Sequence, residues 1–343
     1  MPDHVTAFAP GRVNLIGEHT DYNQGLALPF AIADGVTASA SALQAPRLEV
    51  VARDFGERDE FALGAPPRTE GWRAFIRGAA AELTAAGVRL RGARLEISGT
   101  VARGAGLSSS AALEVAVALA LAALAGDRRL DRIELAKLCS RVENEWVGAQ
   151  TGLLDQLASL YGERDRALRI DFRSLEVRPV ALELRDHRLV TLDSGEQHAN
   201  AASGYNERRE ECARACELLG IESLGDATLE MAAQLPEPLD RRVRHVLSAN
   251  QRVDAAVAAI QQGDLAELGK LLDEEHRSLR DDYEVSTRAV EDAVSRLKRA
   301  GALGARIVGG GFGGHVLGLM PADASALDGA IEVRPGPGAQ VLD

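Results

Sequence analysis

Residues 94–125 read RLEISGTVARGAGLSSSAALEVAVALALAALA, three kinds of text in succession. RLEISGTV has the alternation of a strand. Ala111 to Ala125 is a run of about 15 alanine-rich residues that contains Glu114, short of the ~20 apolar residues a membrane span needs, so it reads as a buried helix. Between them lies Gly104-Ala105-Gly106-Leu107-Ser108-Ser109-Ser110, a loop of small residues at a helix N-terminus. Backbone N–H groups there can approach an anion, and the helix dipole adds to the attraction. The loop lacks the Gly-Lys-Ser/Thr of a Walker sequence and the third glycine of the dinucleotide fingerprint. Two readings stand: a glycine-rich strand-to-helix turn, or a phosphate loop. The three serines favour the second, because their hydroxyls can cap N–H groups, bind phosphate oxygens or ligate Mg²⁺.

The whole chain bears on that choice. It has 343 residues, 39 basic against 51 acidic, and a net charge of −12, which argues against a nucleic-acid-binding surface. Only Lys137, Lys270 and Lys298 are lysines, so any phosphate must be held without a loop lysine. Glycine is abundant at 34 residues, and aromatic residues make up only 4%, so the core must rest on alanine, valine and leucine. The start, PDHVTAFAPG, has no secretory pattern, which points to the cytoplasm. Cys139, Cys212 and Cys216 can form neither a disulfide framework nor a complete zinc site, and read as helix residues.

Elsewhere, strand and turn text runs from Thr6 to about Ser41, with further β-like pieces over 47–63. A helix is expected around Trp72 to Ala86 and another from about Ile133 to Val147. Strands return between Ala167 and Ser194, and three helical blocks follow at about 203–219, 238–262 and 264–299. The end, ARIVGGGFGGHVLGLM and VRPGPGAQVL, reads as strand again. A domain boundary is placed near residue 186, giving units of 1–186 and 187–343. This is an α+β pattern of two domains.

Two further segments carry chemistry. Gly309-Gly310-Gly311-Phe312-Gly313-Gly314 is either a bulged hairpin or a place where another backbone or a ligand comes close. Two glycine segments in separate halves suggest a nucleotide phosphate between them. Residues 10–29, PGRVNLIGEHTDYNQGLALP, concentrate Arg12, Glu18, His19, Asp21 and Tyr22 in one loop. That loop is either a solvated turn or a set of short donors and acceptors suited to sugar hydroxyls.

Together the three segments resemble the GHMP small-molecule kinases, and GRVNLIGEHTDYNQG resembles the signature of their galactokinase family. The resemblance covers nearly the whole chain and includes ENEWVGAQTGLLDQ, GYNERREEC and LRDDYEVST. It implies a two-domain GHMP kinase fold, with ATP and sugar in the cleft between domains, and phosphorylation of galactose at its anomeric hydroxyl. On matching positions, Glu18, His19, Thr20, Asp21 and Tyr205 would bind the sugar. Asp155 would be the catalytic carboxylate, beside Arg12. Gly104, Ala105, Gly106, Leu107, Ser108, Ser109 and Ser110 would hold the triphosphate. Ser110 and Glu143 would ligate Mg²⁺; Glu145 competes, but the 12-residue spacing to Asp155 favours Glu143.

These roles make physical sense. A positioned carboxylate can take the proton of a weakly nucleophilic alcohol, and a neighbouring arginine keeps it ionised. The family often has cysteine where this chain has His315, which the strand reading makes a packed histidine. Trp72 and Phe75 are either adenine-pocket or ordinary core residues. Neither a membrane nor an obligate protein partner is expected. The rival functions are a related sugar-1-kinase acting on a galactose analogue and a non-catalytic galactose sensor. Arg12, Ser110, Glu143 and Asp155 occurring together count against the sensor.

Overall fold

A computed structural model of the chain describes residues 2–101, 106–127, 130–196 and 201–342. In chain order, β1 (His4–Asn14), β2 (Leu26–Ala27), β3 (Pro29–Ala42), β4 (Arg47–Ala52) and β5 (Glu57–Ala62) precede α1 (Trp72–Ala85). Then come β6 (Ala93–Gly99), α2 (Ser109–Leu124), α3 (Arg132–Arg141), α4 (Leu154–Tyr161), β7 (Arg166–Asp171), β8 (Glu176–Ala181) and β9 (His187–Asp193). The remainder is α5 (Ala201–Leu219), α6 (Leu229–Ala232), α7 (Leu239–Gln262), α8 (Leu265–Asp281), α9 (Arg288–Arg299), β10 (Gly304–Ile307), β11 (His315–Pro321), β12 (Ala330–Val333) and β13 (Gln340–Leu342).

The mixed α+β architecture is the expected one. A six-stranded sheet has the order β13-β1-β3-β6-β4-β5, a four-stranded sheet β10-β11-β9-β12, and a small third sheet β2-β7-β8. In the large sheet β4 and β6 pair parallel and the other neighbours antiparallel. Helix α2 is almost wholly apolar and mostly buried: Ala111, Ala112, Val115, Ala116, Val117, Ala118 and Ala120 are fully inaccessible, while Leu113, Leu119, Ala122 and Ala123 are partly so. Small side chains let it lie close on β1 and β3. Among the described residues no helix is long and apolar enough to cross a membrane. The three cysteines are unpaired and lie on α3 and α5.

Three expectations need correction. The block 264–299 is two helices, because the chain turns inward between them. Tyr283 and Val285 are fully buried there, Glu284 takes φ +56°, and Thr287 caps α9. The helix expected to reach Val147 widens after Arg141 into a π-helical turn, Val142–Val147, which carries Glu143. VRPGPGAQVL is a strand only at its ends, since Pro335 and Pro337 have no N–H to give a ladder. Its last residues run along β1, pairing Thr6 with Leu342 and Phe8 with Gln340.

Buried charges from the C-terminal half grip the loop that follows β1. Oε1 of Glu275 on α8 accepts the amides of Gly17 (3.3 Å) and Glu18 (3.2 Å), and its Oε2 accepts from Arg252 Nε (2.6 Å). Desolvation pushes this acid up, but Arg252 first, then His245 and Arg306, outweigh it and bring its pKa down to about 2. A carboxylate depressed in the folded state stabilises the fold above its ordinary pKa, and that contribution fades as pH falls from about 4.5 towards 2. Glu275→Gln is therefore expected to cost about 3 kcal/mol in urea unfolding at pH 7. The deficit should shrink as the pH is lowered through that window.

Candidate active site

The loop after β1 is shaped by backbone constraints. Gly17 has φ +90°, and a Cβ there would sit 2.5 Å from the Leu26 carbonyl, so only glycine fits. His19 follows at φ +59°. Oε1 of Glu18 accepts from Arg306 Nη2 on β10 (2.6 Å) and from the Gly309 amide (2.8 Å). Its other oxygen has no hydrogen bond to the described residues and belongs to a side chain on the cleft wall. Asp21 is half-buried on the same wall; burial, and then the nearby Asp155, push its pKa up to about 6 against the pull of the Tyr22 and Leu154 amides. Thr20 lies off the cleft, fully buried, with its hydroxyl donating to the carbonyls of Leu26 (2.8 Å) and Gly17 (3.1 Å). Both ring nitrogens of His19 are occupied within the protein, Nδ1 by the Tyr22 hydroxyl (2.8 Å) and Nε2 by the Gly310 carbonyl (3.2 Å).

Opposite this loop, Asp155 stands in the first turn of α4. Arg12 Nε and Nη2 meet its Oδ1 at 2.7 and 2.6 Å, and Arg12 Nη1 donates to the Gly106 carbonyl at 2.6 Å. The Ser108 hydroxyl donates to Asp155 Oδ2. Ser108 has φ +59° at the N-cap of α2 and makes no side-chain cap, because its hydroxyl is on the carboxylate instead. Ser109 and Ser110 open the helix and line the cleft with Gly106 and Leu107; Gly104 and Ala105 lie outside the described residues.

Glu143 sits one hydrogen bond further in. Its Oε2 accepts from Thr151 Oγ1 (2.6 Å) and Gln156 Nε2 (2.9 Å), and the carboxylate also bonds the Ser110 hydroxyl. Burial, then Asp155, raises its pKa. Gln156 also donates to Glu114 Oε1 (2.8 Å), whose acid is pushed well up by burial and by Glu143. Glu145 points to solvent, so only Glu143 joins the serine loop. Among the described residues no three His, Cys, Asp or Glu side chains gather to hold a metal unaided. Ser110 and Glu143 nevertheless offer two oxygens inside an acidic cluster, which suits a divalent cation completed by phosphates and water.

The cleft encloses about 430 Å³ between Arg12, Glu18, His19, Asp21, Asp155, Tyr205, the serine loop and Gly309–Gly311. A Cβ on Gly310 would come within 2.8 Å of the Tyr205 ring, so this second glycine segment is where backbone and a cleft residue meet closely. It is also the turn between the antiparallel strands β10 and β11. Ser109 and Ser110 also border a second cavity of about 780 Å³, walled by Phe55, Trp72, Phe75, Val101 and Leu113. The Phe55 ring stacks on Trp72 with centroids 6.2 Å apart. His315 is buried in β11 and lines neither cavity.

Several contributors were not singled out from sequence: Arg306, Glu275, Gly152, Phe55 and Tyr283. Gly152 had the best signal, standing three residues before Asp155; a Cβ there would collide with the Asp21 carboxylate.

A lysine-free serine loop beside an arginine-tethered carboxylate, a polar loop and an aromatic cavity is the arrangement expected of a GHMP-type small-molecule kinase. Residues 74–163 match the GHMP kinases N terminal domain, 256–331 the GHMP kinases C terminal, and 2–42 the galactokinase galactose-binding signature. The chain is 43% identical over 337 residues to the galactokinase of Mycobacterium tuberculosis strain H37Rv, covering 96% of this chain and 92% of the relative. It is 44% identical over 331 residues to that of Roseiflexus sp. strain RS-1, covering 92% and 83%. The crystal structure of Lactococcus lactis galactokinase complexed with galactose superposes with a TM-score of 0.92 at 33% identity, over 99% of this chain and 95% of that one. Methanococcus jannaschii mevalonate kinase shares the fold, with a TM-score of 0.68 at 18% identity over 97% of this chain and 98% of that one. The chain belongs to the galactokinase family of sugar kinases.

Two outcomes follow from the crowding around Asp21. Gly152→Ala is expected to displace the Asp21 carboxylate and raise the KM for sugar about tenfold or more, leaving the KM for ATP nearly unchanged. Asp21 carries a raised acid, so its charged form costs stability above about pH 6 and that cost fades as pH falls towards 3.8. Asp21→Asn should accordingly raise Tm at pH 7, with the gain disappearing near pH 4, while sugar turnover is lost.

Proposed function

We propose that the cleft transfers the γ-phosphoryl group of ATP to the anomeric hydroxyl of galactose, giving galactose 1-phosphate and ADP. The observation that carries this reading is the position of Asp155, tied by Arg12 and Ser108 between the polar loop and the serine loop. Galactose hydroxyls bond the free oxygen of Glu18, the Asp21 carboxylate and the Tyr205 hydroxyl. The anomeric hydroxyl faces Asp155. As its oxygen attacks the γ-phosphorus, its proton passes to the carboxylate and the bond from that phosphorus to the β-bridging oxygen breaks. Such a transition state is loose, so orientation by Asp155 and neutralisation of charge supply most of the acceleration.

No loop lysine is needed for the triphosphate. Backbone N–H groups of residues 106–110, the N-terminal dipole of α2 and the Arg12 guanidinium take its place. Ser110 and Glu143 hold Mg²⁺, which offsets phosphate charge when bound. The aromatic cavity beside Ser109 and Ser110 receives the adenine between the rings of Phe55, Trp72 and Phe75. Thr20 and His19 shape the sugar loop from within. The unpaired cysteines suit a reducing cytoplasm.

ADP release measured against galactose, N-acetylgalactosamine, galacturonate, arabinose and glucose tests the assignment, with galactose expected to turn over fastest. Binding of galactose without turnover on any sugar would overturn it. Asp155→Asn and Arg12→Ala are each expected to lower kcat by about 100-fold or more while circular dichroism stays that of a folded chain.

A further inference from the structure

The His19 ring lies at one end of a buried relay that the phosphotransfer chemistry does not use. Its Nε2 is 3.2 Å from the Gly310 carbonyl, and a carbonyl can only accept, so Nε2 carries a hydrogen. The ring is buried, and burial, followed by the neighbouring His245, brings its pKa down to about 3. A neutral ring with hydrogen on Nε2 has a bare lone pair on Nδ1, so the Tyr22 hydroxyl, 2.8 Å away, must donate to it. Having spent its hydrogen, Tyr22 oxygen accepts from the Tyr283 hydroxyl at 3.0 Å. Tyr283 oxygen in turn accepts from the Cys212 thiol at 3.0 Å. Burial pushes the Cys212 pKa up to about 11, which keeps that thiol hydrogen in place.

The relay then closes on its starting residue. Asn23 Nδ2 donates to Cys212 Sγ (3.7 Å) and to the His19 carbonyl (2.8 Å). His19 is thus held at both ring nitrogens and at its carbonyl, in the left-handed conformation at φ +59°. The Tyr283 ring packs against it at 4.7 Å and the Tyr205 ring at 5.2 Å between centroids.

We propose that His19 is a positioning residue, locked as a single neutral tautomer by a one-way hydrogen-bond relay from Cys212 through Tyr283 and Tyr22, and that its imidazole makes no hydrogen bond to sugar. Its work is to hold the left-handed turn that presents Glu18 and Asp21 on either side of it. Tyr22, Tyr283 and Cys212 are then positioning residues for sugar recognition although none needs to touch the sugar. This rests on the sugar-kinase reading only for the identity of the ligand; the state of the ring is a property of the free protein.

Nitrogen NMR of the full chain with labelled histidine, at pH 7, reads that state directly. The expected His19 spectrum is that of a neutral ring protonated on Nε2, unchanged in tautomer by saturating galactose. Tyr22→Phe should shift the Nδ1 signal to that of a ring lacking a donor and raise the KM for galactose roughly tenfold, with the KM for ATP within about twofold. Cys212→Ala should raise the galactose KM severalfold, and Cys212→Ser, which restores a donor, should recover most of it. An imidazolium, an Nδ1–H tautomer, a galactose-induced tautomer switch, or an unchanged galactose KM in Tyr22→Phe overturns the proposal. If Tyr22→Phe does not fold, the wild-type spectrum and the Cys212 pair decide. Failure of every sugar to release ADP would sink the kinase assignment and leave the NMR result standing.

Discussion

The contact on which the cleft depends is the pairing of Arg12 with Asp155. It joins the end of β1 to the first turn of α4, and through Arg12 Nη1 and the Ser108 hydroxyl it also fixes the turn into α2. The arginine side chain is 8% exposed and the aspartate 21%, so neither charge is free to leave without stranding the other in a poorly solvated place. The same bonds that hold three elements together also aim one carboxylate into the cleft. On the proposed mechanism, structural support and chemical function share this one set of atoms.

Around that pair the molecule keeps an imbalance of charge. Asp21, Glu114 and Glu143 all have acids pushed upward, chiefly by burial and then by one another or by Asp155. Packing carboxylates together costs stability, and an unliganded fold gains nothing from it. On the proposed function, a cation-bearing polyanion would change the balance, a divalent ion offsetting the acidic cluster and the triphosphate meeting the backbone amides and Arg12. The acidic net charge of the chain is therefore no obstacle to nucleotide binding; the local field at each atom matters more than the sum over the surface.

The sugar loop follows a different logic. Its side chains are numerous and polar, but many face inward: Thr20 bonds backbone carbonyls, His19 is engaged at both nitrogens, and one oxygen of Glu18 serves Arg306 and Gly309. A dense polar motif was legible in the sequence, but not the division between side-chain atoms left open to the cleft and those spent on bonds within the protein. That division depends on partners such as Arg306, Glu275 and His245, which lie more than two hundred residues away along the chain. The break at 282–287 left one local signal, the N-cap Thr287, and the burial of Tyr283 and Val285 accompanies the inward turn.

Sequence alone determined the strand, serine loop and buried helix of residues 94–125, the order of the three motifs, and the residue types that can bind phosphate or accept a proton. Those features are written in short-range periodicity and in the glycine and serine content of single turns, which neighbouring residues enforce. Tertiary structure decided that Asp155 meets Arg12 and Ser108, that Glu143 and not Glu145 joins Ser110, that Gly152 makes room for Asp21, and that the imidazole of His19 is already spoken for. Each of these is a contact between segments distant in sequence or a question of which face of a turn is buried. Such outcomes are set by the packing of the whole chain, because a hydrogen bond or ion pair exists only where folding brings its two halves within about 3 Å.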